Sequence, residues 1–313
     1  MEIWQKISIF APCIMAIATL SILIPTYNDV CTSLVAALQQ QAEALDFDYE
    51  IIVADDGSTD PATIAVNRAV NELPSCRYIE RKENAGRAAI RNFLATQAQY
   101  EWLLFIDSDM VVCNDNFLQR YAETDGADVV DGGVVIGNVM PGNLRSMYEK
   151  AAEHEHTVDQ RQRHPYHDFH TANFMIRREL MLAHPFDQRF RHYGYEDVLL
   201  GKELAAHQIA ILHIDNPLSF EVFETNADFV SKTEEGLRTL CQFRHELQGY
   251  SRLLDAPIVR KESLLQSFVC LFHRIVGPWE RRRLTGPHPS LLIFKAYKLG
   301  YYLTYLKTNN KPS

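Results

Sequence analysis

The sequence predicts an α/β fold: a doubly wound, mostly parallel sheet flanked by helices, with a C-terminal helical appendage. Three observations carry this. Short apolar runs alternate with segments of helical periodicity between residues 20 and 106, the order that builds parallel sheets. Each run ends in Asp, Asn, Gly or Pro, the residues of strand-ending turns. Beyond Pro257 the pattern changes to basic, aromatic and amphipathic.

The elements follow in order. Residues 20–24 read as the first strand. Asp29 is placed to cap a helix whose Leu34, Leu38, Ala42 and Leu45 recur at helical spacing. Residues 49–54 form the second strand. Asp60 as N-cap with Pro61 at the first helical position starts the next helix, which Pro74 closes. Residues 77–80 are a short third strand, Asn84-Ala85-Gly86 a turn, and 87–99 a helix with Ala88, Phe93 and Leu94 facing inward. The fourth strand, 102–106, runs straight into Asp107-Ser108-Asp109. The second half is less regular: a helix from Asn114 to about Thr124, a strand-like run 127–136, a polar helical stretch 143–163 and a strand at 171–176. A helix at 196–206, a strand at 209–214 and a long helix at 226–247 follow. Two amphipathic stretches, 262–276 and 290–306, are joined by a loop rich in Pro, Gly and Arg.

Composition narrows the class. The 313 residues are 47% hydrophobic and 23% charged, as in a globular domain with a substantial core. Six cysteines are scattered with no CxxC pair, which argues against a disulfide framework and suits a reducing, cytoplasmic compartment. The net charge of −9 hides an asymmetry: residues 256–313 hold ten Lys or Arg against two Asp or Glu, a net of +8, and the rest holds 21 against 38, a net of −17. An acidic body argues against a nucleic-acid partner, and the basic tail points to something anionic. Residues 7–27 carry no charge, which resembles a membrane span or signal peptide. Because 21–25 belong to the first strand and Pro12 interrupts the remainder, a dispensable leader over 1–19, or a start at Met15, is the expected reading.

The chemistry gathers at successive strand ends. These are Pro25-Thr26-Tyr27-Asn28, Asp55-Asp56-Gly57-Ser58, Asn84-Ala85-Gly86-Arg87 with Arg91 one turn later, and Asp107-Ser108-Asp109. In open α/β sheets this edge binds ligands. A single such segment could be no more than a turn; four in succession read as a site. Paired acids can hold a hard cation, carboxylates can accept hydrogen bonds from a base or ribose, and arginines add positive charge toward phosphates. No GxGxxG follows the first strand and no GxxxxGK[ST] occurs, so dinucleotide and P-loop sites are unsupported. Glu196-Asp197 opens a helix, where an acid pair could serve only as a cap.

These motifs, in this order and spacing over residues 20–220, resemble those of the family 2 inverting glycosyltransferases of GT-A fold, bacterial type. The resemblance implies a nucleotide-sugar donor, usually a UDP-sugar, and Mn²⁺ or Mg²⁺. It places the base contact on Asp56, with Asp55, the ribose contact on Asp107 and the metal on Asp109. Pro25 and Tyr27 shape the nucleoside pocket, with Asn84, Gly86, Arg87, Arg91 and Ser108 beside them. Asp197 becomes the general base and Glu196 orients the acceptor. The implied acceptor is a hydroxyl of a glycan or lipid-linked saccharide, in surface polysaccharide synthesis, and the enzyme a hexosyl- or acetylhexosaminyl-transferase. The implied division is a nucleotide-binding half at 20–110, an acceptor-binding half at 111–255 and a basic appendage at 256–313.

Two features depart from the pattern. Phe220 stands near where related sequences carry a metal-binding histidine, and His213 reads as a strand residue facing the core. The histidines at 154, 156, 164, 167 and 170 lack the spacing of a zinc site and read as polar acceptor-side surface. Asn173 resembles the segment beneath the acceptor, or is a polar residue at a strand edge. The tail, 262–313, reads either as a helical cap or as a peripheral contact with the inner face of the cell membrane. The alternatives to a transferase are a non-catalytic nucleotide-sugar-binding module and a sugar nucleotidyltransferase; the second lacks a Gly-rich triphosphate loop.

Overall fold

The structure, a computed structural model, describes residues 17–261 and 263–309. The leader expected at 1–19 lies largely outside them. Ile17, however, is buried, and its N–H donates to the Ala122 carbonyl, so the domain begins before residue 20.

The first half folds where predicted: β1 (Thr19–Thr26), α1 (Thr32–Glu43), β2 (Asp48–Asp55), α2 (Pro61–Asn67), β3 (Cys76–Glu80), α3 (Arg87–Gln97) and β4 (Trp102–Ile106). The Asp60 carboxylate accepts from the Ala62 and Thr63 N–H groups at 3.2 Å, so α2 starts as expected. Asp29 does not cap α1. Cys31 holds that position without a side-chain bond, while the Asp29 carbonyl accepts from Thr26 and Asn67.

The second half comprises β5 (Met110–Val111), α4 (Phe117–Ala122), β6 (Val129–Asp131), β7 (Val134–Ile136), α5 (Leu144–Ala152), α6 (Val158–Arg163), β8 (Asn173–Arg177), α7 (Arg178–Ala183), α8 (Glu196–Ala206), β9 (Ile211–His213), β10 (Leu218–Phe220) and α9 (Asn226–Gln242). Two short helices, α10 (Arg252–Asp255) and α11 (Pro257–Arg260), lead to α12 (Leu264–Leu284) and α13 (Leu291–Asn309). The run 127–136 is not one strand. Gly133 has φ +80°, and a Cβ at Gly132 would lie 2.5 Å from both Asn173 Nδ2 and Tyr121 Oη. The chain therefore turns there, and β6 and β7 enter different sheets. The stretch 143–163 is broken by a 3₁₀ turn at Glu153–Glu155. The loop expected after 276 is helical to Leu284, through an exposed Pro278. Burial of Gly277, Glu280 and Leu284 on the inner side overrides the proline's local preference.

The main sheet has the order β3-β2-β1-β4-β8-β6-β9, parallel except that β8 runs antiparallel to both neighbours. A small sheet, β5-β10-β7, lies beside it. Strand order reverses at β1, with β2 on one side and β4 on the other, which makes a crevice at their carboxyl ends. Side chains alternate along each strand: Leu103 and Phe105 enter the core on one face, Trp102, Leu104 and Ile106 that on the other. Burial on both faces explains the unbroken apolar run. Tyr302 and Leu303 of α13 join the first of these cores, so the appendage packs on the domain.

Phe174 of β8 stacks on Phe105 at 4.9 Å and meets Phe169 and Phe186 edge-on. Its truncation leaves a cavity in the sheet's centre. Phe174→Ala is expected to lower unfolding free energy by about 3–5 kcal/mol, read from urea denaturation; a loss below about 1 kcal/mol would contradict this packing.

Candidate active site

The strand-end loops are tied to one another. Asn28, at φ +52° after β1, accepts from the Thr59 N–H at 2.8 Å and the Asp60 N–H at 3.0 Å, and its own N–H donates to Ser58 Oγ at 2.7 Å. Asp56, after β2, accepts from Arg81 at 2.8 Å and from the Gly86 N–H at 2.8 Å. Gly57 sits against the backbone of Glu83 and Asn84, where a Cβ would come within 2.6 Å of a carbonyl carbon. Asp55 points the other way, as alternation requires. It is buried, accepting from the Ser58 N–H and the Tyr78 hydroxyl. Asp55 is therefore an anchor of the loop and does not line the crevice, a correction to its expected share in the base contact.

A second set of links joins the two halves. Arg87 donates to Asp107 Oδ2 at 2.7 Å and to Glu196 Oε1 at 2.8 Å. Arg91, only 1% exposed, donates to Asp107 Oδ1, and its second nitrogen lies 3.7 Å from Glu196 Oε1. The two arginines are thus matched by two carboxylates rather than presented free to a phosphate, as the sequence reading had them. Burial pushes Asp107 upward, but Arg91 and Arg87 outweigh it and hold its carboxyl below the usual range.

One acid of each pair remains. Asp109 has neither a hydrogen-bond nor an ion-pair partner among the described residues; burial and then Asp107 push its carboxyl up to about 6. Among the described residues Asp197 accepts only from the Val198 N–H, at 2.8 Å. Burial and then Glu196 push it up to about 6 as well. The turn before it contains Gly194 at φ +94° and Tyr195 at φ +72°, a left-handed conformation rare for an aromatic residue. Tyr193 and Tyr195 pack against α9 at Gly236, in ordinary contact range of its Cβ position.

Three adjoining cavities meet here, and Arg87, Tyr193 and Lys232 line all three. The largest, about 630 Å³, contains Pro25, Tyr27, Asp56, Asn84, Gly86, Arg87, Arg91, Asp107, Ser108 and Asp109 in its wall. Ten of the expected residues are thereby brought together. Tyr27 is 46% exposed, a free ring for stacking. A second cavity of about 310 Å³ holds Asp107, Asp109 and Asp197, with His156 and His170 on its far side. A third, about 320 Å³, lies beyond Asp197 and is lined by Glu196, Tyr148, Tyr195, Phe229 and Phe294.

Phe220 is buried on β10, and the Arg145 guanidinium lies 4.2 Å from its ring centroid. Arg145 pairs with Glu224 at 2.7 Å and lines both cavities that contain Asp109. Sequence reading missed Arg145 and Lys232, which sit on helices in no distinctive spacing. His213 is a core residue, between Arg161 Nη1 at 3.1 Å and Asp131 Oδ2 at 3.3 Å. Asn173 is buried and donates to the Gly133 and Asn216 carbonyls, bracing the β6–β7 turn. The group of three possible metal ligands among the described residues is His184, Glu203 and His207, away from the crevice and outside the 154–170 histidines.

A crevice at the switch point, walled by acids at successive strand ends, on this sheet is the GT-A fold of glycosyltransferases. Residues 21–183 match the family model described as glycosyl transferase family 2, and the chain belongs to that family. It is 28% identical over 224 residues to a chondroitin synthase of Escherichia coli, covering 59% of this chain and 32% of that one. It is 35% identical over 105 residues to a poly(ribitol-phosphate) beta-glucosyltransferase of Bacillus spizizenii, covering 33% and 16%. An uncharacterized glycosyltransferase of Haemophilus influenzae is 31% identical over 104 residues, covering 32% and 40%. The chain thus spans less than half the length of these relatives. In fold it is similar to the mannosyltransferase PcManGT from Pyrobaculum calidifontis, solved with GDP-Man and Mn²⁺ (TM-score 0.54, 14% identity, 93% of this chain and 86% of that one).

The raised carboxyl of Asp197 has a consequence for stability. The folded chain keeps a proton there between about pH 4 and 6 that the unfolded chain has lost. The group therefore favours folding at low pH, and that advantage disappears as pH rises through about 6. Asp197→Asn is expected to stabilise the ligand-free protein above pH 7 by on the order of 2 kcal/mol, with the gain vanishing near pH 4. Urea titrations at the two pH values check this; a destabilised variant at neutral pH would contradict it.

Proposed function

We propose that this chain is a metal-dependent inverting glycosyltransferase. It transfers a sugar from a nucleoside-diphosphate sugar, by preference a UDP-sugar, to a hydroxyl of a glycan or lipid-linked saccharide in the assembly of a bacterial surface polysaccharide. The observation that carries this reading is Asp197. Its carboxylate lies between the cavity containing Asp109 and the cavity beyond, and with a pKa of about 6 it is ionised yet basic at neutral pH. The relatives named chondroitin synthase and poly(ribitol-phosphate) beta-glucosyltransferase support the polymer setting.

Residues 20–110 form the nucleotide half in this reading, and residues 111–255 the acceptor half. Tyr27 and Pro25 hold the base, with Asp56 as its acceptor. Asp107 meets the ribose: each of its oxygens already accepts from an arginine and keeps lone-pair capacity for a hydroxyl. Asp109 suits a hard cation, being a half-buried carboxylate on the cavity wall without a partner among the described residues. One carboxylate plus donor oxygens and water is a sufficient set for Mg²⁺ or Mn²⁺. Held by Asp109, such an ion would supply Lewis-acid stabilisation of a diphosphate leaving group. Arg145 and Lys232, which share Glu224 as a partner, put two cations on the cavity wall beside Phe220, near where related sequences carry a histidine. Asp197 takes the proton of the acceptor hydroxyl as its oxygen bonds to the sugar's anomeric carbon. The bond from that carbon to the diphosphate breaks with its electron pair on the diphosphate, which inverts the centre. Glu196, fixed by Arg87, orients the acceptor.

The test separates binding from chemistry. Asp197→Asn is expected to keep UDP binding and lose at least about 10²-fold in transfer; unchanged transfer would remove the base assignment. Asp109→Ala should abolish the Mn²⁺-dependent part of UDP binding in calorimetry, and retained metal-dependent binding would refute its role. In the wild type kcat/KM should rise through about pH 6 as Asp197 loses its proton, and a profile falling over that range would contradict the mechanism. Phe220 favours one other reading, a nucleotide-sugar-binding module without activity. It requires that no UDP-sugar is consumed with Mn²⁺ present, whether or not acceptor is supplied.

A further inference from the structure

The exposed face of α12 is more apolar than its buried face. Leu264, Leu265, Phe268, Leu271, Phe272, Ile275 and Trp279 are each between 48% and 91% exposed. At 100° per residue they fall within an arc of about 120°, and over residues 264–279 they form a stripe about 22 Å long. The opposite side, packed against the domain, carries Gln266, Cys270, Gly277, Glu280 and, as its one large buried apolar residue, Leu284. An amphipathic helix ordinarily shows the reverse arrangement, and a contiguous exposed stripe of this kind marks a contact surface.

The charges around the stripe identify what it meets. Arg282 and Arg283 are exposed on the same side at its C-terminal end, Lys261 is exposed just before its N-terminal end, and Arg274 flanks it. None of these four has an ion-pair partner among the described residues, whereas Arg281 is held by Glu234. The described residues of the exposed arc include no acid. A second copy of the helix would set these cations against one another. An anionic surface with an apolar interior matches both features: apolar side chains enter the acyl boundary, cations meet headgroups, and Trp279 lies at the interface. No helix among the described residues is long and apolar enough to cross a membrane, so the geometry is that of a helix lying on the surface.

We infer that α12 docks this protein on an anionic lipid bilayer through its outer face. The consequence reaches the crevice. His273 of α12 sits against Gly300 of α13, where a Cβ would come within 2.6 Å of its ring. From α13, Phe294 and Lys298 line the cavity beyond Asp197. The bilayer-facing helix is thus one close-packed layer from that cavity, placing it to receive an acceptor presented at a membrane.

The inference is tested by binding alone and so stands apart from the transfer reading. The full chain is mixed with vesicles of phosphatidylcholine, or of phosphatidylcholine with phosphatidylglycerol, and sedimented. Partitioning onto the anionic vesicles is expected, with a blue shift of Trp279 emission, and it should weaken at about 1 M salt, where the screening length is about 3 Å. Arg282→Ser and Arg283→Ser should each cost about fivefold. The triple variant Leu264→Ser, Phe268→Ser, Ile275→Ser should lose at least tenfold. Because these side chains are exposed, its urea midpoint and its UDP binding should match the wild type. Wild-type protein that stays in solution with anionic vesicles would overturn the inference. So would equal binding by the triple variant, or a wild-type dimer that the triple variant converts to a monomer without any vesicle binding.

Discussion

The molecule depends on a four-member ion cluster: Arg87 and Arg91 of α3 with Asp107 after β4 and Glu196 at the start of α8. It joins segments more than a hundred residues apart in the chain. Burying a charge as deeply as Arg91 costs several kcal/mol unless partners surround it, and the two carboxylates do so. The charges balance, two against two. Each acidic motif therefore gives one member to the cluster and leaves the other unmatched. Asp109 and Asp197 are the remainder, and because each is half-buried beside a neighbouring carboxylate, both hold their protons more tightly than an ordinary carboxyl.

The same economy governs the loops. Asn28 clasps the loop after β2, Asp56 clasps the turn before α3, and α3 clasps Asp107 and Glu196. Each loop is positioned by a side chain of its neighbour along the sheet edge. The crevice is therefore largely formed before any ligand enters, as expected of sites that act through fixed donors and charges.

This organisation explains what was legible in the sequence. The first half could be read because its signals are local: an apolar run, a cap such as Asp60, a proline at N1, an acid at the strand's end. Its ten crevice residues came from turn chemistry and resemblance together. Asp55 was misassigned because two adjacent acids are equivalent in sequence and opposite in a strand. In the second half the determinants are long-range. Gly132 breaks a strand because Asn173 and Tyr121 crowd it, and α12 continues through Pro278 because its inner side is buried. Arg145 reaches the crevice only because α5 packs where it does, with its guanidinium over Phe220. No spacing announces any of these.

The left-handed Tyr195 has a further consequence. An aromatic residue at φ +72° costs on the order of 1–3 kcal/mol, and the packing of Tyr193 and Tyr195 over Gly236 holds it there. A turn with a single sterically permitted shape gives the first residues of α8 one orientation. Their direction is then set during folding, by the fit of an aromatic pair against a bare helix surface, and little rearrangement remains for the moment a ligand arrives. The strain at this turn makes the start of α8 a rigid pointer into the crevice.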